Sequence, residues 1–304
     1  MRRRNLLVAL GVLVMVPPLA ACTTSPKPVS LTDGLGREVP LPASVQRVVS
    51  LAPSNTELLF EVGAGSLVVG RDDLSDFPAG VKTLPSIGGS LGVYDLAAIA
   101  ALKPDLVLAA QINTAKDVAA LEKLGLTVFY LNNPTDMTGL FENMRSVGTL
   151  TAKSAEAETL IASLTARLNA VIAKLPAIKT HYKVYYELDA SDPAVLYTAG
   201  PGSYINKLLE EAGDANIGTV VGKPFGVISA QEIISQNPDF IVLGDTGYGG
   251  TIAGVKARPG WDAINAVKND KVFVFNNDTV SRPTARIVDA VESLAKMFHP
   301  EVFL

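Results

Sequence analysis

Residues 95–108 read DLAAIAALKPDLVL, and residues 229–243 read SAQEIISQNPDFIVL. Each is a short amphipathic helix closed by Pro-Asp and followed at once by an apolar run. Proline disfavours helix for the residue before it, and an apolar run of this length forms a strand buried on both faces. A second pair echoes in the same order: SNTELLFEVGAG at 54–65 and GSYINKLLEEAGDANIG at 202–218. One helix–proline–strand match is common in α/β proteins. Two ordered matches predict two related α/β lobes.

Working outward, Thr32 to Val39 predicts a small hairpin turning at Asp33-Gly34. Arg47 to Leu51 predicts a buried strand. Ser54 is then expected to cap a helix, with Glu57 completing a capping box. Between the echoes, residues 139–175 place Leu140, Met144, Val147, Leu160, Ile161, Leu164, Leu168, Val171, Ile172 and Leu175 at gaps dominated by three, four and seven. That spacing predicts one long connecting helix, weakest around Gly148 to Thr151. Pro283 to Phe298 predicts a C-terminal helix with its apolar face inward, capped by Ser281 or its neighbour.

At the other end, Arg2, Arg3 and Arg4 precede an apolar run from Leu6 to Val16, then Leu19-Ala20-Ala21-Cys22. The run is too short to span a bilayer and has the layout of a secretory signal. Cys22 is the single cysteine, so no internal disulfide forms. The chain carries −4 formally; removal of residues 1–21, with three arginines and no acid, leaves −7. No basic face is evident, and nucleic acid is not an expected partner. Hydrophobic residues at 48% supply two cores, whereas aromatics are only 6%.

Taken together, RVVSLAPSNTELLFEVGAG (47–65), DDLSDFP (72–78), IGGSLGVYDLAAIAALKPDLVL (87–108) and SRPTARIVDAVESLAKMFHPE (281–301) resemble the periplasmic-binding family that serves ABC importers of cobalamin and of ferric siderophores or haem. The resemblance runs from about Leu31 to Phe303. It implies an α/β fold of two Rossmann-like lobes bridged by one long helix, the class III periplasmic-binding-protein fold. L-A-A-C resembles the bacterial lipobox, which implies lipidation of Cys22 and a lipid-anchored monomer facing the periplasm or cell exterior. The expected divisions are signal peptide 1–22, tether 23–30, N-terminal lobe 31–138, connecting helix 139–175 and C-terminal lobe 176–304.

Ligands of open α/β sheets bind beyond the carboxyl ends of the strands. This rule selects Ser54, Asn55, Asp73, Gly89, Ser90 and Tyr94 in the first lobe. In the second it selects Glu187, Tyr204, Tyr248 and Asp278. Asp278 and Arg282 also match, by resemblance, an acid and an arginine that line the cleft in cobalamin-binding members. Where those members carry several aromatics, this chain has Leu74, Ala110 and Leu188, with Phe225 the main exception. Asp72, Asp73, Glu187, Asp189 and Asp278 predict an acidic cleft, which disfavours polyanionic catecholates. A corrinoid or neutral ferric chelate is therefore the expected ligand. No cofactor is called for.

Permease docking in the family uses one glutamate per lobe. The matching positions here are Ala97 and Gln231, so the neighbouring Asp95 and Glu232 are the expected docking acids. A ligand-sensing or storage lipoprotein without its own importer is the alternative. His181 and His299 are expected to face solvent, leaving no metal site. An enzyme lacks its usual parts: no strand-to-helix nucleophile elbow, Walker A loop or H-E-x-x-H pair is expected.

Overall fold

The computed structural model describes residues 30–303. The expected signal peptide, Cys22 and tether residues 23–29 lie outside them. Strands β1 (Ser30–Thr32) and β2 (Glu38–Pro40) form the expected hairpin, with Thr32 opposite Glu38. The Asp33 carboxylate closes the turn, accepting the N–H groups of Leu35 at 2.9 Å and Arg37 at 3.0 Å.

The first lobe is built on β3 (Val48–Ser50), β4 (Val68–Arg71), β5 (Leu106–Ala110) and β6 (Val128–Leu131), in the parallel order β4-β3-β5-β6. Parallel neighbours need crossovers, supplied in part by helices α1 (Pro53–Glu61), α2 (Leu96–Ala101) and α3 (Ala115–Glu122). Helices on both faces explain why β5 is apolar throughout. Leu106 and Leu108 enter one core, and Val107 and Ala109 enter another with Ile99 and Val118.

The second lobe has β7 (Lys183–Asp189), β8 (Leu196–Ala199), β9 (Ala215–Asn216), β10 (Phe225–Ile228), β11 (Phe240–Leu243) and β12 (Val272–Val274). Its order is β10-β8-β7-β11-β12 with β9 also on β7, and β8 runs antiparallel to both neighbours. The echoed segments occupy corresponding places. Pro104-Asp105 leads into β5 and Pro238-Asp239 into β11, each behind a short helix.

The stretch read as one helix folds as two, α4 (Met137–Leu150) and α5 (Ser154–Ile172). Ala152 turns between them at φ +56, a left-handed conformation that breaks the helical path. The two helices meet closely at Gly148, where an added Cβ would lie 2.7 Å from that of Ala157. Helix α5 then carries Ala157, Ile161, Leu164, Leu168 and Val171 as one buried stripe.

The remaining α-helices are α6 (Tyr204–Glu211), α7 (Ala230–Gln236), α8 (Ile252–Lys256), α9 (Asn265–Lys268), α10 (Asp278–Ser281), α11 (Arg286–Phe298) and α12 (Pro300–Phe303). Helix α11 starts later than its sequence suggests and has no side-chain cap of its own. Arg167 on α5 ties it down through Asp289 at 2.6 Å and Glu292 at 2.7 Å. The largest core joins both lobes: Val48 and Leu106 from one sheet share it with Val184 and Val242 from the other, and with α5 and α11. His299, expected in solvent, is fully buried, with Nε2 2.9 Å from the Asp214 carboxylate. Exposed His181 holds the Gly213 carbonyl at 2.6 Å.

Candidate functional site

Two adjoining cavities open between the lobes. The larger, about 280 Å³, takes Ser54 and Asn55 from the first turn of α1, Gln111 and Ile112 from the end of β5, and Asn132 and Asn133 from the end of β6. Phe225, Ser281 and Pro283 close it from the second lobe. The smaller, about 160 Å³, lies deeper in the second lobe against Leu188, Tyr204, Val280 and Ile287. Both share Asn133, Phe225, Ser281 and Pro283, so they form one cleft with a polar end and an apolar end.

Among the described residues, none that lines either cavity is charged. The expectation of an acidic cleft is corrected here, because each carboxylate has another partner. Asp72 is buried; it accepts the Ser75 hydroxyl and the Leu74 N–H, and burial raises its pKa. Asp73 lines neither cavity and accepts the Ser86 hydroxyl, which lowers its pKa. Asp189 accepts the Ser191 N–H at 2.8 Å. Glu187 is fully buried and held bidentately by Arg258, so it is a core ion pair rather than a wall of the cleft.

Of the expected ligand residues, the structure gathers Ser54, Asn55, Tyr204 and Phe225 in the cleft. Ser54 is free to line it because Ala52 occupies the N-cap position and Ser54 lies inside the first turn. The Tyr204 hydroxyl donates to the Met137 sulfur at 3.1 Å, and Phe225 is half-exposed across both cavities. Tyr94 is turned inward: its hydroxyl donates to the Leu51 carbonyl at 3.1 Å and accepts the Asn113 amide at 2.6 Å. Burial pushes that hydroxyl up to about 12. Gly89, at φ +105, packs against the Tyr94 ring so closely that a Cβ would meet it at 2.6 Å. Ser90 is exposed in the same loop. Tyr248 lies in the short turn Thr246–Tyr248, beside the recess that Asp278 lines with Gly244 and Asn277.

Gly88-Gly89-Ser90-Leu91-Gly92 does carry the letters G-x-S-x-G, although no nucleophile elbow was expected. The segment is a loop closed on itself, with the Gly89 N–H on the Val93 carbonyl at 2.8 Å, and the next helix begins only at Leu96. Both histidines are engaged in the other lobe, so neither is placed beside Ser90.

Arg282 is the largest departure. It donates to Glu57 at 2.9 Å and Asp76 at 2.7 Å across the lobe boundary, and lies 3.2 Å from Asp278. Arg286 joins the same Glu57 oxygen at 2.9 Å, and Thr284 donates to the other at 3.1 Å. Glu57 therefore latches the lobes together and forms no capping box. Beside it, the Glu61 carboxylate accepts the Ala285 N–H at 3.0 and 3.1 Å. An acid from one lobe thus caps the helix start of the other.

Burial, with help from Glu57, pushes Glu61 up to about 7 against the Ala285 hydrogen bond. A folded pKa above the unfolded value of 4.5 means the native state holds the extra proton. Its stabilising contribution is complete below about pH 4.5 and is lost as pH rises through about 7, a swing of about 3 kcal/mol. Glu61→Gln is expected to remove that decline and raise stability at about pH 8, read as urea midpoints across pH.

Two lobes with a shared core, and a cleft lined from both, fit a protein that holds a small molecule between them. The chain belongs to the periplasmic binding protein family, whose model matches residues 48–279. It is 28% identical over 279 residues to an uncharacterised ABC transporter substrate-binding lipoprotein of Bacillus subtilis, covering 91% of this chain and 87% of the relative. A cobalamin-binding protein of Halobacterium salinarum is 30% identical over 280 residues, covering 90% and 74%. Among solved structures, a possible iron-binding (periplasmic solute-binding) protein from Staphylococcus epidermidis superposes with TM-score 0.74 at 27% identity, covering 84% of this chain and 99% of that one. The chain is thus an extracytoplasmic solute-binding component of an ABC importer.

Asn132, Asn133 and Asn143 were not singled out from sequence. The signal for the first two was present: Asn132-Asn133-Pro134 follows an apolar strand at its carboxyl end.

Proposed function

We propose that the cleft captures an uncharged metal chelate with amide-bearing arms, a corrinoid ahead of a neutral ferric hydroxamate, and delivers it to an ABC permease. The observation that carries this reading is the absence of any charged side chain from the cleft lining. A haem or catecholate would bring carboxylates or phenolates into that lining without a cation to meet them, and burying an unpaired charge is costly. Contacts from both lobes let the ligand favour a more closed state, which a one-lobe contact could not do. The protein acts by binding and release, without turnover. Cys22 anchors it as a lipidated monomer.

Docking would use Asp95 and Glu232. Asp95 is exposed at the start of α2, where it accepts the Ala98 N–H at 2.9 Å, and Glu232 stands in the first turn of α7. Ala97 and Gln231 are exposed beside them and carry no charge. That absence favours a second reading, a sensing or storage lipoprotein, which gains if the mature protein fails to bind its permease.

The test is isothermal titration of residues 23–304 with cyanocobalamin, ferrichrome and haemin in parallel. Cyanocobalamin or ferrichrome is expected to bind and haemin to fail. Tight binding of haemin alone would sink the uncharged-ligand reading.

A further inference from the structure

Asn55 sits in the wall of the larger cavity and is only 1% exposed, yet its side-chain Nδ2 has no hydrogen-bond partner. A buried amide donor left unmet lowers stability, so the fold gains nothing from keeping it. An apolar side chain of similar volume would pack there without that loss. Four more side-chain amides share the cavity: Gln111, Asn132, Asn133 and Asn143. Asn143 is already committed, donating to the Asn132 carbonyl at 2.8 Å. The nearest cation in sequence to the lining, Arg282, is held by Glu57, Asp76 and Asp278.

We infer that Asn55 is a specificity-determining donor whose partner is a carboxamide carbonyl on the ligand's periphery. Resting on the corrinoid reading, this assigns the amide-lined end of the cleft to the ligand's amide arms and the Leu188–Ile287 end to its apolar parts. The selection is for a carbonyl and against a carboxylate in the same place. The donor that a carbonyl satisfies would also serve a carboxylate, but the net charge would then be buried without a counter-ion. Discrimination is strongest where a site's own polar group is left unpaired by the wrong ligand.

The experiment titrates the wild type and Asn55→Leu with cyanocobalamin, and the wild type with a cyanocobalamin monocarboxylate in which one peripheral carboxamide has been hydrolysed. Asn55→Leu is expected to bind cyanocobalamin about tenfold more weakly, the effect of one lost hydrogen bond, with a melting temperature unchanged or raised. At least one positional isomer of the monocarboxylate should bind about tenfold or more weakly at about pH 7, with the gap narrowing toward about pH 4 as its carboxyl gains a proton. A wild type that ignores cyanocobalamin overturns the corrinoid reading itself. Wild-type binding that neither Asn55→Leu nor any monocarboxylate changes overturns this inference alone.

Discussion

Glu57→Ala is expected to cost about 3–5 kcal/mol, the usual result of removing one partner from a buried ion pair. The carboxylate is fully buried and serves Arg282, Arg286 and Thr284 at once. Its loss strands two guanidinium groups whose side chains are each 14% exposed. Asp76 and Asp278 compensate Arg282 in part, whereas Arg286 keeps its stacking on the Phe77 ring at 4.5 Å and the charge of the neighbouring Glu61. Glu57→Gln, which retains an acceptor and drops the charge, should lose less. Urea denaturation followed by far-UV signal measures both. A Glu57→Ala midpoint equal to that of the wild type would show that the latch contributes nothing to stability.

Replacing Arg258 with alanine should produce a loss of similar size, about 3–5 kcal/mol near pH 7, but one that depends on pH. Among the described residues Arg258 is the sole ion-pair partner of the fully buried Glu187, and it stacks on buried Trp261 at 4.5 Å. Burial already raises the Glu187 pKa in spite of Arg258. Removing the guanidinium raises it further, so the folded variant takes up a proton that the unfolded chain holds only at lower pH. A raised folded pKa means stability is present at low pH and lost as pH rises. The deficit of Arg258→Ala should therefore shrink toward about pH 4–5 and widen toward pH 8. Stability curves at several pH values test this, and a pH-independent deficit would show that the loss is packing against Trp261 rather than charge.

The parts of this molecule that were legible in its sequence are those governed by neighbours in the chain. Pro104 and Pro238 stop a helix locally, and the runs after them are apolar on both faces because helices cover both sides of the sheet. The rule that ligands lie beyond strand ends placed Ser54, Asn55 and Tyr204, and the family resemblance added Phe225. Illegible parts depended on partners far away. Glu57 looked like a capping residue for Ser54, yet its partners lie 225 to 229 residues further on. Glu187 resembled a cleft acid until Arg258, 71 residues along, was seen to hold it. Tyr94 likewise spends its hydroxyl on Leu51 and Asn113. The break at 151–153 adjoins the weak point read at Gly148 to Thr151, but Thr-Ala-Lys contains no proline or glycine, and the left-handed turn at Ala152 is what ends the helix there. Even the absence of charge in the cleft could not be counted from composition, because it required knowing where every acid was already engaged.

The common core has a consequence for how the protein reaches its destination. Val48 and Leu106, near the beginning of the chain, are covered in part by a cluster completed by Leu294, Phe298 and Phe303 at its end. A polypeptide threaded through a membrane amino end first cannot bury those early residues until its last helix has emerged. The face of the first sheet that this cluster covers thus stays incomplete until the C-terminal end packs, while its other face closes on a core within the first lobe. Truncation of the C-terminal helix would then open the shared core, while each lobe keeps a second buried cluster made of its own residues.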